Sequence, residues 1–468
     1  MRAPVALGPG GPELFLAVDP GDTAKPLHAQ LETALKTAIR SGALRQGSPL
    51  PPTRVLAAQL GCSRWVIVQA YEQLTAEGYL ASRAGSGTSV ALAAASALPQ
   101  LRMAPAPAVR VDFSPGAADL SAFPRGAWVR ATAQVMATAT PADLYYTEPT
   151  GAAQLRAALT EHLSRVRGLR TSPGQISICA GTTHGLALLA RALADGGHTS
   201  VGIEDPGWQR LRPPFTAAGL DLVPVPVDRD GLQVHSLARH PHLRAVHVSP
   251  AHQFPTGAVL SSARRNALLA WARERDGLII EDDYDAEYRY DRRPVGALQA
   301  LDPDRVAYLG STSKTLSPAL RLGWLIMPAS WHTAIVGLRP GSDLGVSVLD
   351  QLTITHLISS GALQRHLRRA RARYRDRRAA LVGALARHLP DAEVEGIAAG
   401  LHLLARIPSQ GDERQILRAA RQRGIRLYGL TDYQIEHHAS APGLVLGYAG
   451  LTIDAIDHGT AELAELVR

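Results

Sequence analysis

The chain has 468 residues, a net charge of +8 and a pI near 9.7, which allows two or three domains with sizeable cores and favours contact with polyanions. Its two cysteines, Cys62 and Cys179, stand far apart, which excludes the disulfide framework of a small secreted domain. No apolar run reaches the roughly 20 residues of a membrane span, and the start lacks a charged-then-apolar signal, so a cytoplasmic protein without a membrane partner is expected.

Residues 1–22 are rich in Gly and Pro and read as a flexible tail. From 23 to 90 the pattern turns helical. Leu27, Leu31, Leu35 and Ile39 recur every fourth residue and form the stripe of an amphipathic helix. After Pro51-Pro52, Thr53 is placed to cap a short helix over 54–60. Gly61-Cys62 makes a turn, and Ser63 caps a longer helix that starts at Arg64 and runs to about Glu77. Two helices joined this way suit a helix-turn-helix whose second helix enters the major groove of an operator in double-stranded DNA. The run from Arg83 through Gly85 and Gly87 to Thr88 reads as a tight hairpin tip, a wing on the phosphate backbone. Arg54, Ser63, Arg64, Trp65, Gln69, Arg83, Gly85 and Gly87 are therefore the candidate DNA contacts. The segment carries seven Lys and Arg against three acidic residues, so its charge is only modestly basic.

Residues 91–110 are dominated by Ala, Pro and small side chains and cannot bury a core; a semi-flexible tether is expected. Beyond it, short β-prone apolar runs at 175–179, 277–280 and 305–309 read as buried strands of a mostly parallel sheet. The fold class is thus α/β, with a winged helix-turn-helix, a linker, a large domain over about 111–360 and a small α+β domain over about 361–468. Residues 364–378 hold eight arginines and one aspartate in a helical pattern, which reads as a solvated face. The 17 histidines show no metal-ligand spacing, and no metal site is expected.

The chemistry concentrates around Lys314. A lysine that forms a Schiff base with pyridoxal phosphate (PLP) needs a carboxylate for the pyridine nitrogen, a phenol for the ring 3-oxygen, and hydroxyls with a guanidinium for the phosphate. Asp282 and Tyr284 follow one predicted strand. Ser311, Ser313 and Lys314 follow another, with Arg321 seven residues on. Open α/β sheets bind ligands at such carboxyl ends. Gly181, Thr182 and Thr183 open a helix after a third strand and form a phosphate cup. Trp208, after Asp205-Pro206-Gly207, is an aromatic able to stack on the cofactor ring.

Several motifs also carry a resemblance. Tyr146…Pro149-Thr150-Gly151…Leu155-Arg156 and Pro250-Ala251-His252-Gln253-Phe254-Pro255-Thr256-Gly257 resemble blocks of fold-type I aminotransferases. Phe254 departs from that pattern, standing where those enzymes carry asparagine. Leu50-Pro51-x-x-Arg54-x-Leu56-Ala57, Ser63-Arg64, Ala70-Tyr71-x-x-Leu74-x-x-Glu77-Gly78-Tyr79-Leu80 and Arg83-x-Gly85-x-Gly87-Thr88 are similar to the GntR-type winged helix, with Trp65 and Val66 departing from it. Together the halves resemble MocR/GabR-like transcription regulators, in which a GntR winged helix is fused to an aminotransferase-like PLP domain.

That resemblance implies a head-to-tail homodimer in which Tyr146 reaches the PLP phosphate of the partner subunit. It implies a sensor of PLP, as vitamin B6 status, or of a small amine or amino acid held as an external aldimine. Arg210, His252 and Asp432 are the candidate ligand-pocket residues, Asp432 standing where amino-acid-binding relatives carry arginine. The competing function is an active aminotransferase carrying a DNA-binding domain. Phe254 and Asp432 argue against it, and no net turnover is expected.

Overall fold

The computed structural model describes residues 2–6, 13–19, 25–83, 87–91, 109–291, 295–408, 412–436 and 442–467. The chain divides into two compact units, Met1–Ala106 and Pro107–Arg468.

In the first unit the helix Leu27–Arg40 buries Leu31, Leu35 and Ile39. The helix Thr53–Leu60 ends at Gly61, whose φ of 62° is left-handed, a conformation that glycine adopts without a Cβ clash. The helix Arg64–Ala76 follows, burying Ile67, Ala70 and Leu74 against the same core. Strands Leu80–Arg83 and Gly87–Val90 close the unit as an antiparallel hairpin with Leu80 opposite Val90. The expected caps differ. Pro52 occupies the cap position and Thr53 is the first helical residue, its hydroxyl accepting from Arg64 Nε at 3.2 Å. Ser63 caps by position, without a side-chain bond.

The tail expected over residues 1–22 is corrected. Arg2–Ala6 and Glu13–Ala17 pair as antiparallel strands, with Arg2 opposite Ala17, and Leu16 and Val18 are buried in the helical core. The glycines and prolines that suggested a tail cluster at 8–12, between the two strands, whereas the apolar residues beside them have a core to join. Most of the linker expected at 91–110 falls at 92–108, outside the described residues.

The second unit is built on an eight-stranded sheet. Its order is Ile176–Cys179, Gly323–Ile326, Val306–Ser311, Leu278–Asp282, Ala245–Val248, Ser200–Asp205, Asp221–Asp228, Gly231–Leu232. Gly323–Ile326 runs antiparallel to both neighbours, the terminal pair is antiparallel, and the other pairs are parallel. The central strands Ala245–Val248, Leu278–Asp282 and Val306–Ser311 are buried on both faces, which explains their largely apolar character. A second sheet, Glu393–Glu395, His402–Arg406, Gly443–Gly447 and Tyr428–Gly429, is antiparallel and packs with helices Ala362–His388, Glu413–Gln422 and Ile453–Val467.

The expected start of the large domain at 111 needs adjustment. Val111–Asp112 pairs in parallel with Ile425–Arg426, and Phe113 is buried among small-domain residues such as Leu403 and Leu446. A two-residue strand carries no local periodicity, so sequence pattern could not reveal it. The arginine-rich helix also differs from a purely solvated face. Arg371 and Arg377 donate to the backbone carbonyls of Arg289 and Ala449, and Arg377 pairs with the buried Asp119 at 2.9 Å. These arginines staple the helix to its neighbours. Among the described residues, no helix is long and apolar enough to cross a membrane.

Candidate cofactor and DNA-binding sites

Strands Leu278–Asp282 and Val306–Ser311 pair in parallel, Asp282 opposite Leu309, so the segments after the two strands emerge at the same sheet edge. Asp282 lines a cleft with Glu204, Trp208, His247, Phe254 and Tyr284. Its Oδ1 is buried without a protein hydrogen-bond partner. Its Oδ2 lies 3.8 Å from His247 Nε2, which also lacks a hydrogen bond. An unpaired buried carboxylate oxygen is costly, and a pyridinium N–H would satisfy it.

Lys314 Nζ sits 4.8 Å from the centroid of the Trp208 ring. Burial holds its amine below the usual lysine range, Asp285 and Asp282 draw it back up, and Arg210 lowers it further. A neutral amine is the nucleophilic form.

The phosphate cup forms where Ile176–Cys179 meets the helix Thr182–Asp195. Gly181 caps that helix with a φ of 89°, and a Cβ there would lie 3.1 Å from Arg321 Nη2. Arg321 itself donates to the Ala180 carbonyl, placing its guanidinium across the mouth of the cup. Thr182 is half-buried and Thr183 exposed in the first turn, where backbone N–H groups lack helical acceptors. Ser311 is buried, and its Oγ accepts from Ser313 N–H at 3.4 Å. A buried amine, an unsatisfied carboxylate and a glycine-lined cup closed by arginine together fit PLP. When bound, PLP supplies an aldehyde for the lysine amine and an electron-withdrawing ring.

Beside Tyr284 and His252, which the sequence singled out, stand Asp285 and His402, which it did not. His252 Nδ1 is 2.9 Å from Asp285 Oδ2 and 3.1 Å from the Tyr284 hydroxyl. The ligand atoms of His252, Asp285 and His402, all buried, lie within 4.8 Å of one another. His402 belongs to the small-domain sheet, so only folding brings it here. Asp285 follows the Asp282-x-Tyr284 motif directly, the one local hint available.

The other expected residues are more exposed. Tyr146 is 67% exposed and makes a T-shaped contact with Tyr145. Arg210 is exposed on a short 3-10 turn. Asp432 stands on the turn after Tyr428–Gly429. It is exposed, and its carboxylate accepts from Gly429 N–H at 3.1 Å, closing its own turn. Its neighbour Tyr433 is the buried one, edge-on to Phe254 at 5.0 Å. Phe254 also packs on His402 at 4.7 Å, so it forms an apolar wall where asparagine would have offered a donor.

In the first unit Arg54, Ser63, Arg64 and Trp65 are exposed around the turn, Trp65 at 61%. Gln69 is half-buried and donates to Glu72 at 3.3 Å. Arg83 and Gly87 are exposed on the hairpin, whereas Gly85 lies outside the described residues.

Comparison with known proteins assigns a family to each of the two parts of the chain. Residues 112–441 match the family model "Aminotransferase class I and II" and residues 27–90 match "Bacterial regulatory proteins, gntR family". The class is therefore a gntR-type DNA-binding module fused to a fold-type I, PLP-binding aminotransferase domain. Over 466 residues the chain is 36% identical to the probable rhizopine catabolism regulatory protein MocR of Rhizobium meliloti, covering 94% of each. It is 33% identical to the pyridoxine biosynthesis transcriptional regulator PdxR of Corynebacterium glutamicum over 97% of this chain and 99% of that one. Among solved structures, an archaeal alanine:glyoxylate aminotransferase aligns with a TM-score of 0.71 at 26% identity, over 76% of this chain and 90% of that chain. The chain belongs to the MocR-like transcriptional regulators, DNA-binding proteins whose effector domain binds PLP.

Proposed function

We propose that this regulator senses PLP itself, and that occupancy of the site around Lys314 changes how the winged helices hold operator DNA in the cytoplasm. The observation that carries this reading is the paired provision for the cofactor, a buried Lys314 amine beside an unsatisfied Asp282. The lining offers little to clamp an additional carboxylate. Arg212, which lines the cleft, is tied to the carbonyls of Gly207 and Tyr433, and Arg210 is exposed. The name of the relative that regulates pyridoxine biosynthesis supports the same effector class.

The acting form is a head-to-tail homodimer. Support comes from apolar side chains left exposed on the second unit, among them Val129, Met136, Leu144, Tyr145, Tyr146 and Leu344. Tyr146 then reaches the partner's phosphate cup. PLP shifts the regulator between two states only by binding one more tightly than the other.

Titrating cofactor-free protein with PLP while following its binding to the DNA upstream of its own gene tests the proposal. PLP alone is expected to change the affinity. A response that appears only when an amine or amino acid is added would replace PLP with that effector.

A further inference from the structure

The buried trio Tyr284, His252 and Asp285 holds one imidazole nitrogen between two partners. His252 Nδ1 lies 2.9 and 3.2 Å from the two Asp285 oxygens and 3.1 Å from the Tyr284 hydroxyl. All three side chains are under a tenth exposed. Gly400 locks the pair, since a Cβ there would stand 2.1 Å from His252 Cε1 and 2.6 Å from Asp285 Oδ2.

A nitrogen that shares a proton with a carboxylate has no lone pair to offer a phenol. The charge-assisted contact to Asp285 is the stronger of the two, so it fixes the proton on the line between Nδ1 and the carboxylate. The Tyr284 oxygen then faces the flank of that N–H with no lone pair to donate to, and the phenol's own proton turns away from His252 into the cleft that Tyr284 lines. We infer that Asp285 and His252 are positioning residues that aim the Tyr284 hydroxyl proton at the 3-oxygen of bound PLP.

This rests on the assignment of Tyr284 to the 3-oxygen. Burial raises Tyr284 well above the usual phenol range, with the charges of Asp285, Asp282 and Glu204 adding to it, so the hydroxyl keeps its proton and acts as a donor. Asp285 is raised by burial and drawn back down by His252, with Lys314 a smaller downward influence. Asp283, Glu287, Tyr288, Tyr290, Tyr448 and His402 are further titratable neighbours of the trio. Burial drives His402 well below its usual range, so it stays neutral against the trio.

The test is a pH titration of the visible absorbance of PLP-loaded, full-length protein. Tyr284→Phe and His252→Phe are each expected to move the midpoint in the same direction, by about 1 pH unit, the worth of one hydrogen bond to a charged oxygen. The double variant is expected to coincide with Tyr284→Phe alone, because His252 acts only through Tyr284. Asp285→Asn should shift the same way, and His252→Asn, which places an amide donor near Nδ1, should restore the midpoint. Additive shifts in the double variant, or an unmoved His252→Phe, overturn the inference. An unmoved Tyr284→Phe would instead remove the underlying assignment. Stoichiometric zinc that is lost in His402→Phe would assign the cluster to a metal and likewise overturn it.

Discussion

Lys314 Nζ rests over the Trp208 ring, 4.8 Å from its centroid, which ties the nucleophilic amine to the aromatic wall of the cleft. The ring face attracts the cationic amine while burial disfavours it, and burial is the larger influence on its pKa. Lys314→Ala is expected to abolish the visible band that PLP retains after desalting. In the unaltered protein the rate of PLP attachment should rise with pH, as the amine loses its proton below the usual lysine range. An absorbance spectrum and a stopped-flow pH series check both.

The cup makes a separable prediction. Gly181→Ala would push a methyl group to 3.1 Å from Arg321 Nη2 at a left-handed φ, and Arg321→Ala would remove the charge. Each should weaken PLP binding by roughly 10- to 100-fold, since a hydrogen bond to a charged group contributes about 1.5–3 kcal/mol. Equilibrium dialysis of PLP reads this directly, and DNA binding by cofactor-free protein should be unaffected.

Glu204 predicts a pH dependence of stability. Burial raises its carboxyl to about 8 from an ordinary 4.5, against the pull of hydrogen bonds from Ser249 and Gln253. Below pH 4.5 both folded and unfolded forms are protonated, and the contribution is fully present. As pH climbs towards about 8 the unfolded carboxyl ionises while the buried one resists, so stability is lost across that window. Glu204→Gln should flatten the dependence of Tm on pH there, measured by thermal unfolding in a buffer series.

Arg64 begins the second helix of the helix-turn-helix, exposed and bonded only lightly to Thr53 at 3.2 Å. If it reads a base, Arg64→Ala costs about 1–3 kcal/mol and relaxes selectivity at one operator position. A uniform loss across operator variants with a shallower salt dependence would make it a phosphate contact. Fluorescence anisotropy against an operator panel separates these outcomes.

Repetition and spacing are what the sequence displays well. The four-residue rhythm from Leu27 to Ile39 needs no partner to be recognised, because an amphipathic stripe is written in the helix itself. Asp282 and Lys314 stand out as candidates for a related reason, one at and one just beyond the end of an apolar strand. The turn contact of Asp432 with the Gly429 N–H has no such signal. The strand pair at 2–6 and 13–17 was hidden by composition, and the Val111–Asp112 strand by brevity.

The amino-acid order by itself determined the two-part architecture, the DNA-binding module and the identity of the cofactor, because those depend on local pattern and residue chemistry. Tertiary structure alone decided which polar groups lose water and which partners remain to them. Asp282 keeps an unsatisfied oxygen, and His402 joins His252 and Asp285 from a different sheet. Desolvation and unpaired hydrogen-bonding capacity are properties of packing between distant segments, and no periodicity along a chain encodes them.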